Sequence, residues 1–240
     1  MKTGSFAPTL THARLPSALS GTGLLITTWF ERDEFSVEAF DRHGVHVPQA
    51  LQRAAVKRQA EYLAGRLCVR QALVDLGYTP AIPFMLESDG RRPCWPMGFT
   101  GALTHSPMLA GAWMAHSDQI LALGLDAEPI MPTARADRLA PAIVSEAERV
   151  WLARHSGLDQ ATALTLVFSA KESLFKALNP ITGVAFYFHD AELTYLCLDT
   201  QEIRLKLLIS LSPEWPAGRE ITLYWQYQRD HLLTFLALPA

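Results

Sequence analysis

The sequence predicts an α+β protein made of two similar halves, residues 1–118 and 119–240. Three observations predict it. Each half shows the same order of strand, long helix and strand, with a seam near residues 117–120. The length, 240 residues, suffices for one large domain or two small ones with sizeable cores. Hydrophobic residues make up 49% and charged residues 19%, the balance of a globular chain rather than a disordered one.

Residues 1–22 are rich in Ser, Thr, Pro and Gly, lack periodicity, and read as an irregular lead-in. Residues 23–30 (GLLITTWF) are β-rich and read as the first strand. Residues 31–48 are mixed, with loop signals at His43-Gly44 and Pro48. His43 and His46 lack further ligand types nearby and read as two surface histidines. Residues 49–76 form a long helix candidate. Leu51, Ala54, Ala55, Tyr62, Leu63, Leu67, Val69, Ala72, Leu73 and Leu76 supply its apolar positions, and Gly77 is a stop signal. The same stretch carries Arg53, Lys57, Arg58, Arg66 and Arg70. These read either as a solvated face or as a phosphate site, since arginine presents planar forked donors.

Residues 78–101 are loop-like, rich in Pro and Gly. Leu103-Thr104-His105-Ser106 then leads into an apolar segment, residues 109–115. Residues 120–125 (ILALGL) read as a short buried strand ending at Asp126-Ala127-Glu128-Pro129. Residues two apart on a strand share a face, so Asp126 and Glu128 present two carboxylates side by side while Ala127 points away. Such a pair either holds a cation or sits at a wet strand end. Residues 138–152 are a further helix candidate, with Ser145, Glu146 and Glu148 near its middle.

The stretch 160–178 is the second long helix. Ala163, Val167, Ala170, Leu174, Ala177 and Leu178 fall on one side at steps of three and four; Ser169, Glu172 and Lys176 fall on the other. Glu172 and Lys176 are four apart and point the same way. Alone, they also read as an ion pair on a wet helix face, worth about 0.3–0.5 kcal/mol. Asn179-Pro180 ends the helix. Four strands follow, at 191–198, 202–211, 220–228 and 231–238.

The formal net charge of −3 disfavours a nucleic-acid binder that works by bulk positive charge. Cys68, Cys94 and Cys197 are odd in number and far apart, which disfavours a disulfide framework or structural zinc and suits a reducing cytoplasm. No apolar run approaches the roughly 18 residues of a membrane helix. Pro8, His12, Arg14 and Pro16 interrupt any signal-peptide core, so a soluble cytoplasmic protein is expected.

Three signals now stand in order: Thr104-His105-Ser106, Gly124-Leu125-Asp126-Ala127-Glu128, and residues 168–176 (FSAKESLFK). Together with residues 57–67 (KRQAEYLAGRL), Arg92-Pro93 and Trp95-Pro96, this set resembles the 4′-phosphopantetheinyl transferases of the surfactin type, especially the enterobactin-synthetase component D subgroup. The ordered set carries the resemblance, from about residue 49 to residue 190; no single motif does. The resemblance implies a pseudodimer of two α+β halves with the active site in the cleft between them. It implies Mg²⁺-dependent transfer (Mn²⁺ being the other candidate) of phosphopantetheine from coenzyme A to a serine of apo acyl or peptidyl carrier proteins, releasing adenosine 3′,5′-bisphosphate. By the same resemblance Asp126, Glu128 and Glu172 look like the metal ligands, and Lys176 like a group that neutralises phosphate charge. Arg53, Lys57, Arg58, Arg92, Thr104 and His105 look like coenzyme A contacts. Either Glu148, or Glu172 acting through a water, would be the general base. Phe168 stands where many members have Trp, Thr104 replaces a common Ser, and Ala127 replaces a larger aliphatic residue.

Two rivals remain. A metal nuclease of the D…E-x-K kind wants a lysine two positions after its second acid on one strand, and Glu128 is followed by Pro129-Ile130. A catalytically lapsed coenzyme A- or carrier-binding module is the other; the intact acids and Lys176 argue against it. A single chain holds both halves, so a monomer is expected.

Overall fold

The computed structural model describes residues 6–240 except Pro83, Glu87, Gly90 and Arg91. The chain forms two compact units. The first comprises Ser20–Leu121 with the N-terminal segment up to Leu15 and Ala240; the second comprises Ala122–Pro239 with Pro16–Leu19. Helix and sheet are mixed, 36% and 31% of the chain.

In the first unit, β1 (Leu10–Ala13), β2 (Leu24–Trp29), β5 (Phe99–His105) and β6 (Leu109–His116) form an antiparallel sheet in the order β1-β2-β6-β5. Two short strands, β3 (Ser88–Asp89) and β4 (Arg92–Pro93), pair separately. The short helices α1 (Ala39–His43) and α2 (Gln49–Gln52) precede α3 (Val56–Asp75). The α3 helix presses Ala60, Leu63, Ala64, Leu67, Cys68, Ala72 and Leu73 into the core, each at most 3% exposed. Burying each large side chain contributes about 1.5–3 kcal/mol.

The second unit is a five-stranded sheet in the order β7-β11-β10-β9-β8, formed by β7 (Ile120–Pro129), β8 (Ala191–Cys197), β9 (Glu202–Leu207), β10 (Glu220–Gln228) and β11 (His231–Pro239). Its helices are α4 (Thr133–Ile143), α5 (Glu146–His155) and α6 (Gln160–Thr182). The α6 helix packs on β11 and α4.

Several elements differ from the sequence reading. The lead-in contains β1, a four-residue edge strand paired to β2, too short and too polar to show alternation. The long helix expected over 49–76 breaks at 53–55. Gln59 explains the break: its buried amide donates to the carbonyls of Leu51, Gln52 and Ala54 at 3.1, 3.2 and 3.0 Å, satisfying groups that a continuous helix would have bonded internally. The helix expected over 138–152 is two helices, because Ser145 and Glu148 form a capping box that starts α5. The β7 strand runs through Glu128 to Pro129 rather than stopping at Leu125. The α6 helix continues through Pro180 to Thr182, where Gly183 at φ +70° closes it.

Gly124 sets how closely α6 lies over β7. A Cβ there would meet the Ser173 carbonyl oxygen of α6, so any side chain forces the two elements apart. Gly124→Ala should lower unfolding free energy by about 1–3 kcal/mol, the cost of overpacking. A urea titration showing no loss would contradict this contact.

Candidate active site

The acidic cluster of the second unit is built on α6 and β7. Asp159 caps α6, its Oδ1 accepting from the Ala161 and Thr162 amides at 3.1 Å each. The helix is buried over much more of its circumference than one face. Ser169, expected on the polar side, is fully buried and shares a hydrogen bond with the Thr234 hydroxyl at 2.9 Å. Ser173 bonds the same hydroxyl at 2.7 Å and donates to the Thr234 carbonyl at 3.1 Å. These bonds pin α6 to β11 on either side of Glu172. Lys176, one turn beyond Glu172, donates to Asp126 Oδ1 at 2.7 Å and to the Leu125 carbonyl at 3.0 Å.

Asp126 is 5% exposed and lies within β7, so the wet-strand-end reading does not apply to it. Its Oδ2 is buried with no hydrogen-bond partner among the described residues. Burial, then the charge of Asp126, pushes the Glu128 carboxyl up to about 7; Lys176 and Arg135 pull it back, and Glu172 adds to the rise. Burial and Asp126 likewise raise Glu172, with Lys176 opposing. The charged forms of Glu128 and Glu172 are thus both disfavoured beside Asp126, with Lys176 opposing the effect at each.

An unsatisfied buried carboxylate oxygen and an all-oxygen donor set fit a hard cation such as magnesium. Among the described residues, no group of three or more His, Cys, Asp or Glu side chains is gathered closely enough to hold a metal ion by itself, the Asp126, Glu128 and Glu172 set included. Magnesium does not need a full set of protein ligands: it keeps several waters and takes substrate phosphate oxygens alongside one or two carboxylates.

The pH dependence of stability follows from Glu128. The carboxyl titrates near its ordinary 4.5 when unfolded and near 7 when folded. The folded state therefore binds this proton more tightly. Its contribution is fully present below the unfolded value and is lost as pH rises through the folded one. With a chelator present, the melting temperature should fall between about pH 5 and pH 8 more steeply than in Glu128→Gln, and magnesium should restore it most at the alkaline end. Parallel profiles for the two proteins would contradict the cluster.

Glu148 occupies a different environment. It is 4% exposed. Its Oε2 accepts from the Ser145 amide at 2.7 Å, and its Oε1 accepts from the Leu193 amide at 2.8 Å and from Lys171 Nζ at 2.8 Å. Lys171 also donates to the Ile143 carbonyl at 2.9 Å. Burial lowers the Lys171 ammonium, and Glu148 counteracts it. Both Glu148 oxygens are committed to backbone and Lys171, so this carboxylate ties α5, α6 and β8 together.

In the first unit, α3 and β5 bring Arg58 and His105 together, with Arg58 Nη1 2.7 Å from His105 Nε2. Lys57 and Arg53 are exposed nearby in sequence, and Arg92 is exposed on β4. Thr104 is 2% exposed, on the opposite side of β5 from His105 in the strand's alternating burial, so it is not brought to the His105 face. Arg66 and Arg70 leave the basic run. Arg66 is buried, its guanidinium 4.2 Å from the Tyr62 ring centre, and Arg70 donates to the His43 carbonyl. Sequence reasoning missed Arg32, Glu61 and Lys171. For Glu61 the only signal was an acid within a basic helix.

Two family models match this chain. The 4′-phosphopantetheinyl transferase N-terminal domain covers residues 47–115, and the 4′-phosphopantetheinyl transferase superfamily covers residues 122–235. The chain belongs to this family of transferases. Among its relatives, enterobactin synthase component D of Salmonella typhimurium is 35% identical over 201 residues, 82% of this chain and 80% of that protein. The 4′-phosphopantetheinyl transferase Svp of Streptomyces mobaraensis is 38% identical over 157 residues, 64% of this chain and 60% of that one. PptT of Mycobacterium tuberculosis is 36% identical over 150 residues, 60% and 62% of the two chains. The match thus spans about three-fifths of the length of Svp and PptT. No helix among the described residues is long and apolar enough to cross a membrane.

Proposed function

We propose that this protein transfers the 4′-phosphopantetheine group of coenzyme A to a serine of apo acyl or peptidyl carrier proteins. The observation that carries the reading is the Asp126–Lys176 contact beside Glu128 and Glu172, an acidic cluster of the second unit in a chain of this family. Residues 1–118 act as the half that holds the adenosine 3′-phosphate end, through Arg58, His105, Lys57, Arg53 and Arg92. Residues 119–240 act as the half that carries out the transfer.

Asp126, Glu128 and Glu172 would hold magnesium, with manganese as the alternative. When bound, the cation supplies charge neutralisation at the pyrophosphate. Lys176 stabilises negative charge as it develops on the phosphate oxygens, the positioning-plus-electrostatics route of phosphoryl transfer. The serine hydroxyl is a weak nucleophile until its proton is removed. Glu172, acting through a water, is the base. Glu148 is assigned to structure, because its oxygens are engaged and buried. The serine oxygen bonds to the pantetheine-side phosphorus, the bridging P–O bond breaks, and adenosine 3′,5′-bisphosphate leaves. Thr104 is assigned to packing. The protein works as a single chain in the cytoplasm, and its carriers serve fatty-acid or siderophore synthesis.

Release of adenosine 3′,5′-bisphosphate tests the chemistry. It should appear in a one-to-one ratio with modified carrier, and a carrier whose acceptor serine is replaced by alanine should give none. Release that is independent of that serine would indicate coenzyme A hydrolysis instead.

A further inference from the structure

The transfer chemistry leaves one buried charged group of the first unit unused. Glu61 lies on α3 between the core residues Ala60 and Leu63 and is 5% exposed. A lone carboxylate there would carry a large desolvation cost. It is instead ringed by basic groups from three elements. Arg32, in the turn after β2, donates to its Oε1 at 3.4 Å. Lys57 Nζ lies 4.0 Å from the same oxygen, and His105 Nδ1 lies 3.5 Å from Oε2.

The orientation of His105 follows from its neighbours. Arginine has no acceptor, so Arg58 Nη1 must donate to His105 Nε2. In the neutral ring the proton then sits on Nδ1, facing Glu61. The carboxylate lies beneath the cluster while Lys57 and Arg58 reach outward. Arg32 Nε is buried with no partner among the described residues, so only part of its donor fork is engaged.

We propose that Glu61 is a positioning residue that orients Arg32, Lys57 and His105 for the 3′-phosphate of coenzyme A, and that Arg32 thereby belongs to that subsite. This rests on the reading above that the 3′-phosphate binds at the Arg58–His105 cluster. A dianionic phosphate is bound best by donors already held in place, because ordering long side chains on binding is costly. One buried anion beneath several cations supplies that order and keeps them from repelling one another.

The experiment compares coenzyme A with 3′-dephospho-coenzyme A, which lacks only the phosphate in question, as donors to an apo acyl carrier protein. Wild type should prefer coenzyme A. Glu61→Gln and Arg32→Gln should each reduce that preference, measured as the ratio of the two kcat/KM values, by about tenfold, with the change in the KM for coenzyme A. A purely structural role would slow both donors equally and leave the ratio untouched, which would overturn the proposal. A ratio that rises in Glu61→Gln would also overturn it, since the anion would then only be opposing the phosphate. If Glu61→Gln does not fold by circular dichroism, Arg32→Gln decides alone, its side chain being 30% exposed. A wild type that turns over both donors equally would remove the 3′-phosphate reading, and this proposal with it, while leaving the transferase activity demonstrated.

Discussion

Glu172→Gln is expected to lower phosphopantetheine transfer by about 10³-fold, the scale seen when one preorganised electrostatic group is removed from an active site. The substitution keeps size and shape and removes charge. It also removes the carboxylate whose proton affinity is raised by burial and by Asp126. The backbone beneath it does not depend on that charge. Ser169 and Ser173 fasten α6 to Thr234, and Ala170 and Leu174 are fully buried on either side. Turnover should therefore collapse with the melting temperature within a few degrees of wild type. Unaltered turnover would remove Glu172 from both the metal site and the role of base. Lost turnover accompanied by a lost thermal transition would mean that the residue acts through the fold.

Glu148→Ala should do the opposite, costing about 3–5 kcal/mol of stability by leaving a buried lysine without its counter-charge. Lys171 is 2% exposed at its side chain, and after the substitution it keeps the hydrogen bond to the Ile143 carbonyl and the charge of Glu192 but loses its ion-pair partner. The Ser145 and Leu193 amides lose their acceptor at the same time. Chemical denaturation should register the loss. The double variant Glu148→Leu with Lys171→Met should regain much of it, because an apolar pair of similar volume avoids the desolvation cost. Turnover per folded molecule should fall far less than in Glu172→Gln. A stable Glu148→Ala protein with no activity would reinstate Glu148 as the base.

What the sequence revealed depended on how local the cause was. Spacing alone put Glu172 and Lys176 on one side of a helix, and period-two alternation set Asp126 and Glu128 on one face. The four C-terminal strands were marked by their turns, although β9 ends at Leu207 rather than 211. The Ser145–Glu148 capping box was also present as a local S-x-x-E pattern. The apolar pattern on both sides of it reads as one helix, which hides the cap. Ser169 looked polar-facing because the helix was assumed to be buried on one side only. Thr234, 65 positions away, satisfies its hydroxyl. Glu61 shows in the sequence only as an acid within a basic helix: its partner Arg32 is 29 positions upstream, and only the packing of α3 on the sheet brings His105 within reach.

Intact-mass spectrometry of an apo acyl carrier protein and an apo peptidyl carrier protein tests the central claim most directly. Each is incubated with this protein and coenzyme A, with magnesium or with a chelator. The account predicts a gain of one phosphopantetheine on at least one carrier with magnesium and none with the chelator, and the relative rates rank the carrier classes. No gain on either carrier, with coenzyme A still bound to the protein, would contradict it and mark the chain as a binding module.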